Sequence, residues 1–141
     1  MGDIAKKKFL IVLSVIVFLI ILIIGIFYFN SFKEPGVYRE FSKVSLKPGE
    51  VFTLKLNVKI GKDQTFYIIE EDVPNDFKII EEQYSNNKIK IAKLTDAKDT
   101  TYTYQIQAPD KAGEYTFEGV YGMDGMEKVA LIKGQHLITV E

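Results

Sequence analysis

No cysteine and no tryptophan occur among the 141 residues, and there is one histidine, His136, and one arginine, Arg39. The missing thiols exclude disulfide staples, thiolate metal sites, acylation at cysteine and thiol nucleophiles together, so stability has to come from packing. A single arginine, with lysines that alternate with acids instead of forming a stripe, excludes a nucleic-acid-binding surface. Residues 42–141 hold three serines, Ser42, Ser45 and Ser85, and neither G-x-S-x-G nor H-E-x-x-H occurs. No convergent acid, base and nucleophile follows from that set, and the expectation is a non-enzymatic protein with no catalytic residue, cofactor or metal.

Charge is absent from Phe9 to Phe29, a run of twenty-one residues in which eighteen are Leu, Ile, Val or Phe, with Lys6, Lys7 and Lys8 directly before it. At a helical rise of about 1.5 Å per residue the run is about 31 Å long, which matches a hydrocarbon core of about 30 Å. Insertion favours it by several kcal/mol, at about 0.3–0.6 kcal/mol for each central apolar residue. A secretory signal peptide has an apolar part of about 7–15 residues and a small-residue cleavage site; here Asn30, Ser31 and Phe32 follow. The expected organisation is a basic cytoplasmic tail at 1–8, a transmembrane helix at 9–29 acting as an uncleaved signal anchor, a linker at 30–41 and one folded domain at 42–141. A helix buried in a soluble core is the alternative, and no polar face exists for it to turn to water.

The part beyond the run carries 15 basic against 18 acidic side chains and is long enough for one core. The trio Lys6–Lys8 abuts the apolar run, whereas Lys33, Arg39, Lys43 and Lys47 thin out along the other flank. The positive-inside rule therefore predicts the N-terminus in the cytoplasm and the domain outside. A linker of 30–41 spans at most about 40 Å, so the domain is expected to work near the bilayer.

Strand signals dominate from Ser42. Phe52, Leu54, Leu56, Val58 and Ile60 alternate with Thr53, Lys55, Asn57 and Lys59, a period of two with one dry face. Thr65 to Asp72 is β-branched and aromatic, and Val73-Pro74-Asn75-Asp76 breaks it. Phe77–Tyr84 and Lys88–Lys93 flank Ser85-Asn86-Asn87, which predicts a hairpin. Tyr102, Tyr104, Ile106 and Ala108 share one face. A strand Glu114–Tyr121 is expected to put Tyr115, Phe117, Gly119 and Tyr121 together, and Gly122-Met123-Asp124-Gly125 predicts a hairpin into Val129–Ile132. His136 to Val140 closes the series. Seven or eight short strands without an amphipathic helix predict an all-β fold, an antiparallel β-sandwich, with a closed barrel as the rival.

Gly113-Glu114-Tyr115-Thr116-Phe117 resembles the immunoglobulin tyrosine corner, G-x-Y-x-C, with Phe117 in the place of the core cysteine. Pro48-Gly49-Glu50, Val73-Pro74-x-x-Phe77, and Tyr102-x-Tyr104-x-Ile106-x-Ala108-Pro109 extend the likeness. Over residues 42–141 the chain resembles the immunoglobulin-like modules of archaeal and bacterial cell-envelope proteins. The resemblance implies an immunoglobulin-like antiparallel β-sandwich of 7–8 strands in a single copy, and its motifs mark fold positions without naming a ligand.

Three groups invite chemistry, each beside a simpler reading. Glu70, Glu71, Asp72, Asp76, Glu81 and Glu82 offer oxygen ligands to Ca²⁺, but a solvated charged edge that blocks strand-to-strand aggregation accounts for them. Met123 and Met126 bracket the Asp124-Gly125 turn and offer adaptable contacts to a partner, although the turn needs only its backbone. His136 shares strand parity with Ile138 and Val140, which predicts a partly buried structural histidine.

The expected function is a membrane-anchored envelope protein. It partners the lipid bilayer through residues 9–29 and a protein or surface-layer component through the extracytoplasmic domain, and it takes no nucleic acid. A pilin-like subunit that bundles through the hydrophobic helix and an accessory subunit of a membrane complex are the alternatives.

Overall fold

The structure, a computed structural model, describes residues 2–31, 34–81, 83–84 and 86–141. It divides into two compact units, residues 1–33 and 34–141.

The first unit is one helix, α1 (Gly2–Ser31). Its segment Lys6–Ile26 has a mean hydropathy of 3.5 and is long and apolar enough to cross a membrane. Apolar side chains from Phe9 to Ile26 are exposed on every side of it, so within the unit they have no core to enter. A helix satisfies its own backbone hydrogen bonds, which is what a hydrocarbon surrounding demands. The side chains of residues 27–29, the end of the expected 9–29 span, lie outside the described residues.

The second unit is built from strands. In chain order they are β1 (Gly36–Phe41), β2 (Ser45–Leu46), β3 (Val51–Lys59), β4 (Tyr67–Asp72), β5 (Lys78–Ile79), β6 (Lys88–Lys93), β7 (Thr100–Gln107), β8 (Gly113–Thr116), β9 (Glu118–Met123), β10 (Ala130–Leu131), β11 (Lys133–Gly134) and β12 (Leu137–Val140). They form a five-stranded sheet, β11-β1-β3-β7-β5, a four-stranded sheet, β10-β9-β4-β6, and a three-stranded sheet, β2-β12-β8. The dry faces of all three meet in one core, in which Leu54, Leu56 and Ile106 come from the first sheet, Tyr67, Ile69 and Ile89 from the second, and Leu46, Ile138 and Val140 from the third.

Alternation holds where it is strong. On β3 the residues Phe52, Leu54, Leu56 and Val58 are buried, and the register Leu54↔Tyr104 and Phe52↔Ile106 sets them beside the dry face of β7. The expected all-β fold with one N-terminal apolar helix is present. The described residues hold twelve strands, not seven or eight, and the sheets are mixed, because β1 pairs β11 and β2 pairs β12 in parallel.

Three local expectations are corrected. Residues 36–41 are no linker: β1 lies between β3 and β11, with Val37, Arg39 and Phe41 turned inward, and the folded unit begins at Glu34. The 77–93 segment is no hairpin, because β5 pairs β7 while β6 pairs β4 in the other sheet. Asn87 ends the crossing between them. It takes φ 52°, and its Nδ2 donates to the carbonyls of Pro74 and Phe77 at 3.1 and 2.7 Å. Glu114–Tyr121 is not one strand either. The chain leaves the three-stranded sheet after Thr116 and enters the four-stranded sheet at Glu118.

Phe117 sits at that crossing and is 1% exposed. It packs edge-on against Phe41, Phe52 and Phe77 at centroid distances of 4.9, 6.2 and 5.3 Å. The Tyr115 hydroxyl donates to the Lys111 carbonyl at 2.8 Å, the bond that a tyrosine corner makes.

Candidate functional site: a buried ion pair and an open sheet face

Arg39 on β1 and Glu71 on β4 face each other across the core, 3% and 0% exposed. Each is put there by strand parity: Arg39 shares a face with Val37 and Phe41, Glu71 with Tyr67 and Ile69. The guanidinium grips the carboxylate with two parallel bonds, Nε to Oε1 and Nη2 to Oε2, both 2.7 Å. Its Nη1 donates to the Gln135 carbonyl at 3.1 Å. This planar fork is the geometry that arginine makes and lysine does not.

Two glycines make the space. Gly119 is registered against Glu71, and a Cβ there would run into Oε2 of Glu71 and Cδ1 of Ile132. Gly134 takes φ +94° and lies against the backbone of Arg39, so it can carry no side chain without strain. Gln135 closes the arrangement: its N–H donates to the Arg39 carbonyl at 3.1 Å, and its Oε1 accepts from the Phe41 N–H at 2.6 Å. Burial pushes the Glu71 carboxyl up to about 7, against the hydrogen bonds and charge of Arg39, and Asp72 adds to the rise. The pair thus clamps the two larger sheets together, and desolvation is its largest electrostatic cost.

Beside the pair lies a recess of about 500 Å³, lined in part by Arg39, Asp72, Glu118 and His136. His136 is exposed and precedes β12, contrary to the expected partly buried position, because the strand starts only at Leu137. Arg39, the buried cation of this recess, is matched by Glu71.

The acidic group separates. Glu71 turns inward, so it belongs to no solvated edge, while Glu70 and Asp72 project from the opposite face of β4 and share Lys88 at 2.7 and 3.1 Å. The Lys88 hydrogen bond holds the Glu70 carboxyl below its ordinary value, with Lys90 adding to it at 3.5 Å. Glu81 accepts from the Gln105 N–H at 3.2 Å, and Glu82 lies outside the described residues. Among the described residues no three of these side chains converge on one point.

Met123 is also corrected: it is 3% exposed, and Met126 packs on the core, so neither offers itself at the hairpin tip. The tip is tied down by Asp124, which accepts from the N–H groups of Thr65 and Phe66. Burial raises the Asp124 carboxyl, and these backbone bonds outweigh it and lower it on balance.

The outer face of the four-stranded sheet was not legible as a site. Its rows run Ala92–Ile68–Gly122 and Lys90–Glu70–Val120–Leu131. Ile68, Val129 and Leu131 are 46, 58 and 74% exposed, and Phe66 and Leu94, just past the paired ends of β4 and β6, are 37 and 72% exposed. The apolar part lies toward Phe66 and Leu94; the charged part, Glu70, Asp72, Lys88, Lys90 and Glu118, lies toward the other end. A dent of about 420 Å³ opens on this face, lined in part by Ile68, Val120, Gly122 and Val129. Exposed apolar side chains interspersed with charged ones are the kind of feature that marks a contact surface. The signal that could have found it is the outward parity of Phe66, Ile68 and Val120, which a reading of inward faces passes over.

No curated protein matches the sequence. Among solved structures, the human F-spondin reeler domain (fragment 2) aligns with 16% identity and a TM-score of 0.39, over 77% of this chain and 91% of that chain. Residues 39–121 match the family "BatD DUF11 like domain", more than half of the chain, beginning at Arg39 and taking in Glu71 and Gly119. This chain belongs to the BatD DUF11-like domain family.

Proposed function

We propose that the protein is a non-enzymatic, single-pass component of the cell envelope whose immunoglobulin-like β-sandwich stands outside the cytoplasm and docks another protein or a surface-layer component. The observation that carries the docking role is the outer face of β4, β6, β9 and β10: Ile68, Val129 and Leu131 are exposed together, with charges of both signs around them. The apolar helix Lys6–Ile26 supports anchoring, and the lysines before its apolar core support a cytoplasmic N-terminus. The shared core of the sheets and the Tyr115–Lys111 corner bond support the immunoglobulin-like reading.

A photo-crosslinking amino acid at position 131 or 68 of the full chain, in its native membrane, tests the docking face against position 55 on the wet face of β3. The reading expects protein adducts at 131 and 68; adducts at 55 alone would contradict it.

A further inference from the structure

Residues 130–135 form a strap that joins the edges of the two larger sheets. β10 pairs β9 through Ala130↔Tyr121 and Leu131↔Val120, and β11 pairs β1 through Tyr38↔Lys133 and Arg39↔Gly134, with Ile132 between them. Ile132 is the one buried residue of the strap, whereas Leu131, Gly134 and Gln135 are exposed. Lifting it gives up little apolar burial and few backbone bonds, the two properties of a segment that opens while the rest of a domain stays folded. What holds it is centred on the ion pair. Arg39 Nη1 donates to the Gln135 carbonyl at 3.1 Å while Nε and Nη2 grip Glu71, so one guanidinium ties the strap to β4. The Gln135 N–H donates to the Arg39 carbonyl and its Oε1 accepts from the Phe41 N–H. The Ile132 N–H donates to the carbonyl of Gly119, the residue registered opposite Glu71.

We infer that the strap is a pH-sensitive latch: it opens as a unit, wetting the Arg39–Glu71 pair and freeing the edges of β1 and β9, and the ionisation of Glu71 sets how often it does so. The recess already brings solvent to one side of the pair, being lined by Arg39 from β1, Asp72 from β4, Glu118 from β9 and His136 just past the strap. Burial fixes the sign. With the strap closed, desolvation favours the neutral carboxyl and holds Glu71 up at about 7; with it open, water returns the group toward 4.5. The closed state therefore binds the extra proton, so closure is strongest below about pH 4.5 and weakens as pH rises through about 7. Of the charged groups around the carboxyl, Arg39 opposes the rise and Asp72 adds to it. Glu118 and His136 face it across the recess, the β6 residue registered with it is the uncharged Ile89, and Lys133 of the strap turns instead to Glu34 and the Tyr38 ring. Opening takes the strap partners from the Arg39 and Gly119 carbonyls and from the Phe41 N–H. Both sheets then present an edge with free backbone groups, the form in which a sheet accepts a further strand.

Amide hydrogen exchange of the full chain in lipid nanodiscs, at pH 5 and pH 8 and divided by the intrinsic rate at each pH, tests this. At pH 8 the amides of Ile132 and Gln135 are expected to be protected at least tenfold less than those of Leu54 and Leu56 on β3, with an exchange that low urea leaves unchanged. At pH 5 the strap amides are expected to gain at least tenfold in protection. Glu71→Gln, neutral at both pH values, is expected to remove this response, and His136→Ala to retain it. Strap amides as protected as those of β3, or equally protected at the two pH values, overturn the proposal. So does a response that persists in a folded Glu71→Gln chain or is lost in His136→Ala. If Glu71→Gln shows no cooperative melt, the parent chain and His136→Ala decide the matter.

Discussion

Arg39 and Glu71 show how far a single residue's reading depends on its partner. Each interrupts an otherwise apolar inward parity, Val37-x-Arg39-x-Phe41 and Tyr67-x-Ile69-x-Glu71, and alone each looks like a break in the pattern. Only the sheet arrangement reveals that two opposite charges at inward positions neutralise one another across 32 residues of sequence. The face of Glu71 was legible from alternation with Glu70 and Asp72; that of Arg39 was not, because residues 30–41 read as linker, and the pairing is non-local. Removing one partner leaves the other charge buried and unmatched, so Glu71→Ala is expected to destabilise the domain by about 3–5 kcal/mol in urea unfolding. Replacing both residues by apolar ones of similar volume should cost far less. Because Glu71 titrates near 7 in the folded state and near 4.5 when unfolded, the folded chain holds the extra proton between those values. This group's contribution is full below about pH 4.5 and is lost as pH rises through about 7. Urea midpoints at pH 5 and pH 8 should differ more for the parent chain than for Glu71→Gln, and an equal difference in the two would contradict this. Phe117 was legible through the corner motif. With three other phenylalanines edge-on to it or within the same cluster, Phe117→Ala is expected to cost about 3–5 kcal/mol, read in the same titration.

At the scale of elements, the long strands were readable and the short ones were not. β3 and β7 alternate over eight or nine residues because one face is wet and the other dry. Strands of two residues, such as β2, β5, β10 and β11, are too short to show any period. The switch at Phe117 is silent for a different reason: Tyr115, Phe117, Gly119 and Tyr121 keep the same inward parity through the crossing, so alternation continues while the sheet changes. The second crossing, at Ile132, carries the chain from β10 to β11 and so joins the edges of the two larger sheets, with the Ile132 N–H donating to the Gly119 carbonyl at 2.9 Å. Gly134 follows directly and is pressed against Arg39. Gly134→Ala is therefore expected to cost more than Gly125→Ala, although both glycines have positive φ, at +94° and +84°. The Gly125 site is open space and should lose about 1 kcal/mol, while the Gly134 site adds a backbone collision and should lose about 2 kcal/mol or more. Thermal melts of the two variants compare them directly, and equal losses would show that Gly134 does not bear on β1.

For the molecule as a whole, the division into an apolar helix and a β domain was plain from composition, and the domain boundary was not. Pro35-Gly36 read as linker, and Arg39 hid the strand behind it. Since β1 is an interior strand and supplies the partner of Glu71, a fragment of residues 34–141 is expected to fold, whereas residues 42–141, which begin after β1, should not. Circular dichroism with a cooperative melt for the longer fragment and none for the shorter is the expected outcome. The central claim is that the helix anchors this domain outside the cytoplasm, where its open face can meet a partner. Single cysteines placed by Lys55→Cys or Gly2→Cys in the full chain, treated in intact cells with a membrane-impermeant maleimide, test it most directly. The account predicts labelling at position 55 and none at position 2 until the cells are lysed; labelling at position 2 with protection at 55 would contradict it.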